Sequence, residues 1–148
     1  MNRSEVSPFN CVVDASVGIK LFVTEPLSEE ADALFAHLSD TPPAHLYVPD
    51  LFFIECANVL WKYVQRFAYS PEVALQNVLD LTHLPLHVAP VQSLTEVALA
   101  LAMGQHITAY DAAYVALAQR LSLPLITADE ALVHCLKSTG LDVRLLGG

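Results

Sequence analysis

Five short apolar runs punctuate this chain: Asn10–Val13, His45–Val48, Leu86–Ala89, Leu123–Thr127 and Val143–Leu146. Each is too short for a helix and is bounded by polar or proline-containing segments. The stretches between them carry helix signals. Ser28-Glu29-Glu30 supplies an N-cap and early acids, and Thr41-Pro42-Pro43 breaks that helix. Pro49-Asp50 starts a long helix running to about Phe67, and Ser70-Pro71 caps another that Pro85 ends. Ser93-Leu94-Thr95-Glu96 has capping-box form, with Gly104 as the expected stop. Helices are also expected over Thr108–Leu121 and Glu130–Lys137. Apolar strands alternating with helices predict an α/β fold, with a central, mostly parallel sheet of about five strands covered on both faces. In such sheets, sites form at the carboxyl ends of the strands, near the point where the strand order reverses.

At 148 residues the chain has room for one domain. Hydrophobic residues make up 54% and charged ones 16%, against roughly 25% charged in an average domain. The surface is therefore short of charge, and part of it is expected to lie against a second copy or a partner. The helices from Glu29 to Leu38 and from Pro71 to Leu84 are the expected dimer interface. The longest apolar runs, Val97–Met103 and Ala112–Ala118, fit buried helix faces and fall short of the roughly 20 residues of a membrane span. The start, MNRSEVSPFN, has no signal-peptide core, and the expected location is the cytoplasm. Cys11, Cys56 and Cys135 are widely spaced in apolar surroundings, which predicts buried thiols and gives a zinc site little support. A net charge of −9 argues against a protein that coats nucleic acid through a basic face. It does not argue against an enzyme that meets phosphate through a bound metal.

Four carboxylates stand where a simple fold would not require them. Asp14 ends the first apolar strand, and Asp129 follows the fourth in LITADEAL. Glu55 sits inside LFFIECA, flanked by Phe53, Ile54, Cys56 and Ala57. Asn58 and Lys62, three and seven residues on, complete a thin polar stripe with it. Asp111 begins an otherwise apolar run in TAYDAAYVALA. Each has a structural reading: Asp14 and Asp129 as helix caps, Asp111 as the third helical residue after a Thr108 cap. Glu55 resists this, because a carboxylate in apolar surroundings needs a partner or a proton. Taken together, four acids converging on one sheet edge need a counter-charge, and seven scattered Lys and Arg do not supply it. A hard divalent cation does, since carboxylate oxygen without His or Cys is the ligand set of Mg²⁺ or Mn²⁺.

VVDAS, PDLFFIECANVLW, TAYDAAYVALA and LPLITADEAL, in this order and spacing, resemble the PIN-domain ribonucleases. Within these the resemblance is to the toxin component of VapBC-type toxin–antitoxin modules. It implies a compact α/β/α sandwich, a Mg²⁺- or Mn²⁺-dependent endoribonuclease acting on RNA, a homodimer and a small antitoxin partner. It also implies that Asp14, Glu55, Asp111 and Asp129 are the catalytic and metal-binding acids, with Ser16 and Thr127 behind them. Of the adjacent acids Asp129 and Glu130, the motif favours Asp129, and Glu130 reads as a first-turn helix acid. Two other classes compete. The phosphatases of the HAD type also begin with a strand ending in Asp but need D-x-D, and Ser16 holds the second position. A PIN-like scaffold that binds without cutting would show no metal-dependent stabilisation.

Overall fold

The computed structural model describes residues 9–148. The stretch 1–8, which includes most of the segment inspected for a signal peptide, lies outside them. Five strands form one all-parallel sheet: β1 (Cys11–Val13), β2 (Leu46–Pro49), β3 (His87–Ala89), β4 (Leu125–Thr127) and β5 (Val143–Leu145). Their order is β3-β2-β1-β4-β5. The chain builds outward from β1 on one side, then returns to add β4 and β5 on the other. The order therefore reverses between β1 and β4, with Val13 beside Ile126. That is where an α/β sheet opens a crevice at its carboxyl edge.

Among the described residues seven α-helices complete the three-layer α/β/α sandwich: α1 (Ala15–Gly18), α2 (Ser28–Ala36), α3 (Leu51–Phe67), α4 (Pro71–Thr82), α5 (Thr95–Gln105), α6 (Ala109–Leu121) and α7 (Glu130–Leu136). The core centres on β1, β2, β4 and α6. Ala112–Ala118 is buried throughout, as expected. Four of these seven residues are alanine, so α6 approaches the sheet closely on one side and α5 on the other. The short α1 was not foreseen, because four residues carry no periodicity. It packs on α3, and Gly18 makes the approach possible: a Cβ there would meet the Phe52 ring at 2.5 Å. This contact sets the helix bearing Glu55 beside the end of β1.

Several local expectations are corrected. Ser28 is not an N-cap. Leu27 takes that place at φ 72°, and Ser28 Oγ instead accepts from Glu25 N and donates to Val23 O. The capping box at Ser93 does not form, because Ser93 lies in a 3₁₀ turn (Val91–Leu94). Its hydroxyl donates to Pro90 O and accepts from Arg120 Nη1. Gly104 does not stop its helix, which runs on to Gln105 and closes at His106 with φ 57°. Val97–Met103 is not a buried face. Of its neighbours α5 packs chiefly on α6, leaving Val97, Leu99 and Met103 about half exposed or more. Cys11 and Cys56 are buried thiols, but Cys135 is exposed. Ser70 and Thr108 cap α4 and α6 as expected, accepting from Val73 N and Asp111 N. Among the described residues no helix is long and apolar enough to cross a membrane.

Candidate active site

The topology brings Asp14 and Asp129 to the reversal between β1 and β4. Asp14 follows β1 directly and is 6% exposed. Both its oxygens are engaged: Oδ1 accepts from Ser16 Oγ at 2.5 Å and Val17 N at 3.3 Å, and Oδ2 accepts from Thr127 Oγ1 at 2.5 Å. The two hydroxyls are themselves fixed. Ser16 Oγ accepts from Ala128 N at 2.9 Å, and Thr127 Oγ1 accepts from Asp129 N at 3.1 Å. Ser16 and Thr127 thus lock the ends of β1 and β4 together through one carboxylate. Burial first, and the Asp111 charge to a lesser degree, raise the Asp14 carboxyl to about 6 against these hydrogen bonds.

Asp14 is also the N-cap of α1, and Asp129 the N-cap of α7, with Oδ1 accepting from Leu132 N at 3.1 Å. Cap and site are therefore not alternatives here. Asp14 uses three of its roughly four lone-pair sites on Val17 N, Ser16 and Thr127 and keeps one, whereas Asp129 uses one on Leu132 N. Glu130, next in the chain, is the first residue of α7 and is exposed.

Glu55 projects from α3 and is half-buried. Its partner is Tyr114 on α6, whose Oη–H donates to Glu55 Oε1 at 2.6 Å. Burial raises the Glu55 carboxyl, the Tyr114 hydrogen bond opposes this, and the Asp111 charge adds to it. Burial and the adjoining Glu55 likewise raise the Tyr114 phenol, which stays a donor. Sequence reading missed Tyr114 by counting it within the apolar run after Asp111. The available signal was its tyrosine hydroxyl, which needs a partner when buried, three residues and so one helical turn from an acid. LFFIECA is also less buried than expected, since Ile54 is 71% exposed.

Asp111, in the first turn of α6, is electrostatically central. Its own carboxyl is raised by burial and by the Asp129 charge, against a Thr108 hydrogen bond. Its charge in turn raises both Asp14 and Glu55. Asp111 is therefore the member through which the expected acids are linked: its charge acts on Asp14 and on Glu55, and the Asp129 charge acts on it. As the side chains stand, no three His, Cys, Asp or Glu among the described residues are grouped to hold a metal ion directly. By chemistry the donors still fit a hard cation held partly through water: they are carboxylate oxygens of coupled acids, and Glu55 Oε2 has no hydrogen-bond partner among the described residues.

The PIN domain family matches residues 11–135. Ribonuclease VapC3 of Pyrobaculum aerophilum is 37% identical over 126 residues, covering 83% of this chain and 92% of that protein. The crystal structure of PAE2754 from the same organism superposes with a TM-score of 0.66 at 22% identity, over 94% of this chain and 92% of that one. A toxin–antitoxin complex from Klebsiella pneumoniae gives a TM-score of 0.63 at 18% identity, over 90% and 95%. Fold, motif order and sequence likeness agree, and the chain belongs to the PIN-domain family.

Proposed function

We propose that this protein is a Mg²⁺- or Mn²⁺-dependent endoribonuclease, the toxin of a toxin–antitoxin pair. The observation that carries this reading is the placement of Asp14 and Asp129 at the carboxyl ends of β1 and β4, with Asp111 close enough for its charge to act on Asp14 and Glu55 and for the Asp129 charge to act on it. Its identity to a ribonuclease supports the substrate, and its likeness to a chain in a toxin–antitoxin complex supports the partner.

Asp14, Asp111 and Asp129 would hold the cation, in part through waters. When bound, the ion supplies charge neutralisation at the phosphoryl oxygens and a water of lowered pKa. The protein's own groups do the rest. Ser16 and Thr127 keep the Asp14 carboxylate in one orientation. Glu55 presents Oε2 to the cleft, where it orients the attacking water and takes its proton. Tyr114 holds the other oxygen, so Glu55 does not turn away.

We also propose a homodimer. The exposed large apolar side chains on α4 are Val73, Leu75 and Leu79, and the exposed Trp61 of α3 lines one groove with Leu75. None of the exposed large apolar residues lies on α2. The reading therefore keeps α4 and replaces α2 by α3.

The test is cleavage of labelled single-stranded RNA by the purified protein. Mg²⁺ should support it, EDTA should stop it, and Ca²⁺ should support it poorly, because Mg²⁺ chemistry needs tight octahedral geometry. Cleavage undiminished by EDTA would sink the metal requirement. A protein that Mg²⁺ neither stabilises nor activates would be a binding scaffold.

A further inference from the structure

Beside Glu55, α3 and α6 leave a cleft of about 630 Å³ lined by Ile54, Glu55, Ala57, Asn58 and Tyr110. Two of its walls are large side chains left in solvent: Ile54 is 71% exposed and Tyr110 66%. Tyr110 lines this cleft together with Glu55, one of the candidate acids. Asn58 is exposed, and its amide has no hydrogen-bond partner among the described residues.

The cations add a direction. Lys20 is tied to Glu25, Arg144 to Asp142, and Arg120 to Ser93. Lys62 and Arg66, both exposed, make no ion pair or hydrogen bond among the described residues. They follow Asn58 at successive intervals of four residues on α3. At 3.6 residues per turn, Glu55, Asn58, Lys62 and Arg66 fall on one face of that helix. A chain of net charge −9 cannot capture RNA by general attraction. It needs contacts with bases, which every single strand offers to an exposed ring, and a few well-placed cations.

We propose that this cleft is a subsite for single-stranded RNA. One nucleobase, drawn out of its stack, lies on Tyr110 against Ile54 and beside Glu55. The strand continues along α3 past the Asn58 amide, and its phosphates meet Lys62 and Arg66. The proposal rests on the ribonuclease reading above and extends it to how the substrate is held. A protein partner would use the apolar walls but has no need of the line of amide and cations.

The test measures binding of a short dye-labelled oligoribonucleotide in Ca²⁺ and steady-state cleavage in Mg²⁺. Tyr110→Ala should weaken binding roughly five- to a hundredfold. KM should rise to match, with kcat changing less than about threefold, and Tyr110→Trp should restore binding. Lys62→Gln with Arg66→Gln should lower the slope of log affinity against log salt by about 1.4, whereas Lys137→Gln should leave it unchanged. An oligomer lacking the base next to the cut should bind the wild type weakly and lose nothing more in Tyr110→Ala. All these positions are exposed, so melting temperatures should hold. Variants that bind and cut like a wild type that does cleave RNA would overturn the subsite and assign this face to protein contacts. Duplex RNA bound as tightly as single strands would overturn it too. A wild type that neither binds nor cuts RNA would overturn the ribonuclease reading, and the subsite with it.

Discussion

Tyr114 on α6 donates its phenolic hydrogen to Glu55 Oε1 on α3 at 2.6 Å. The ring is 2% exposed, so packing fixes the donor, and the donor fixes a carboxylate that the fold would otherwise leave mobile at the rim of a cleft. A hydrogen bond to an ionised acceptor is stronger than a neutral one. It holds the charged form of Glu55 against the burial that raises its pKa.

Tyr114→Phe keeps the ring and removes this bond. If Glu55 is the base, kcat should fall about tenfold, equivalent to about 1.4 kcal/mol, with KM little changed. The acidic limb of the pH–rate profile should move to higher pH, since Glu55 loses the contact that lowers its pKa. The fold should survive, with stability altered by about 1 kcal/mol. An unchanged kcat and pH profile would reduce Tyr114 to a packing residue.

Asp111 couples to each of the other acids, so it should matter most for the cation. At a Mg²⁺ concentration one hundredfold above Kd, wild-type stability should rise by about 2.7 kcal/mol. Asp111→Asn should lose most of that gain and nearly all activity. Thermal melts in EDTA and in Mg²⁺ measure both proteins. A full Mg²⁺ response in Asp111→Asn would place the ion elsewhere.

The sheet was legible because it rests on strong local signals, whereas of the four candidate acids only Glu55 stood out by itself; Asp14, Asp111 and Asp129 each have a capping reading and drew attention only as a set. Short apolar runs between capped helices leave few arrangements besides a parallel sheet, and a carboxylate such as Glu55 in LFFIECA has few innocent explanations. What escaped were features made by tertiary contact. The cap at Leu27 depends on a positive φ that no local residue type announces. Ser93 spends its hydroxyl on Pro90 and Arg120, the latter distant in sequence. Tyr114 looked apolar because a tyrosine in a helix reveals its polar end only when the opposite helix is known. Val97–Met103 looked buried because composition cannot say how many neighbours a helix has.

The apolar groove on α3 and α4 gives a test of assembly. Leu75 is 70% exposed and Leu79 53%, on a helix otherwise well packed against α3. The wild type should sediment as a dimer at micromolar concentration. Leu75→Glu with Leu79→Glu should give a folded monomer, because two desolvated charges cannot be accommodated at a symmetric contact. A wild type that sediments as a monomer would remove the claim.

Asp14 offers the sharpest link between site and stability. Its folded carboxyl stands at about 6 against an ordinary 3.8, chiefly through burial. Because the folded value is the higher one, the native state holds the proton more tightly than the unfolded chain does. Ionising Asp14 therefore costs stability. The cost is absent below about pH 3.8, grows as pH rises, and is fully present above pH 6. Asp14→Asn mimics the neutral carboxyl, can still cap α1, and keeps polar contact with Ser16 and Thr127. In EDTA at pH 7.5 the variant should be the more stable protein, by on the order of 1 to 3 kcal/mol. Its advantage should shrink through pH 6 and vanish near pH 4. In Mg²⁺ the order should reverse, because the wild type gains the ion and the variant does not, and RNA cleavage should be lost with that gain. Melts of both proteins across pH, with and without Mg²⁺, carry the comparison. A variant that is less stable than the wild type in EDTA and still cuts RNA would mean that Asp14 ends its strand only to cap α1 and tie β1 to β4.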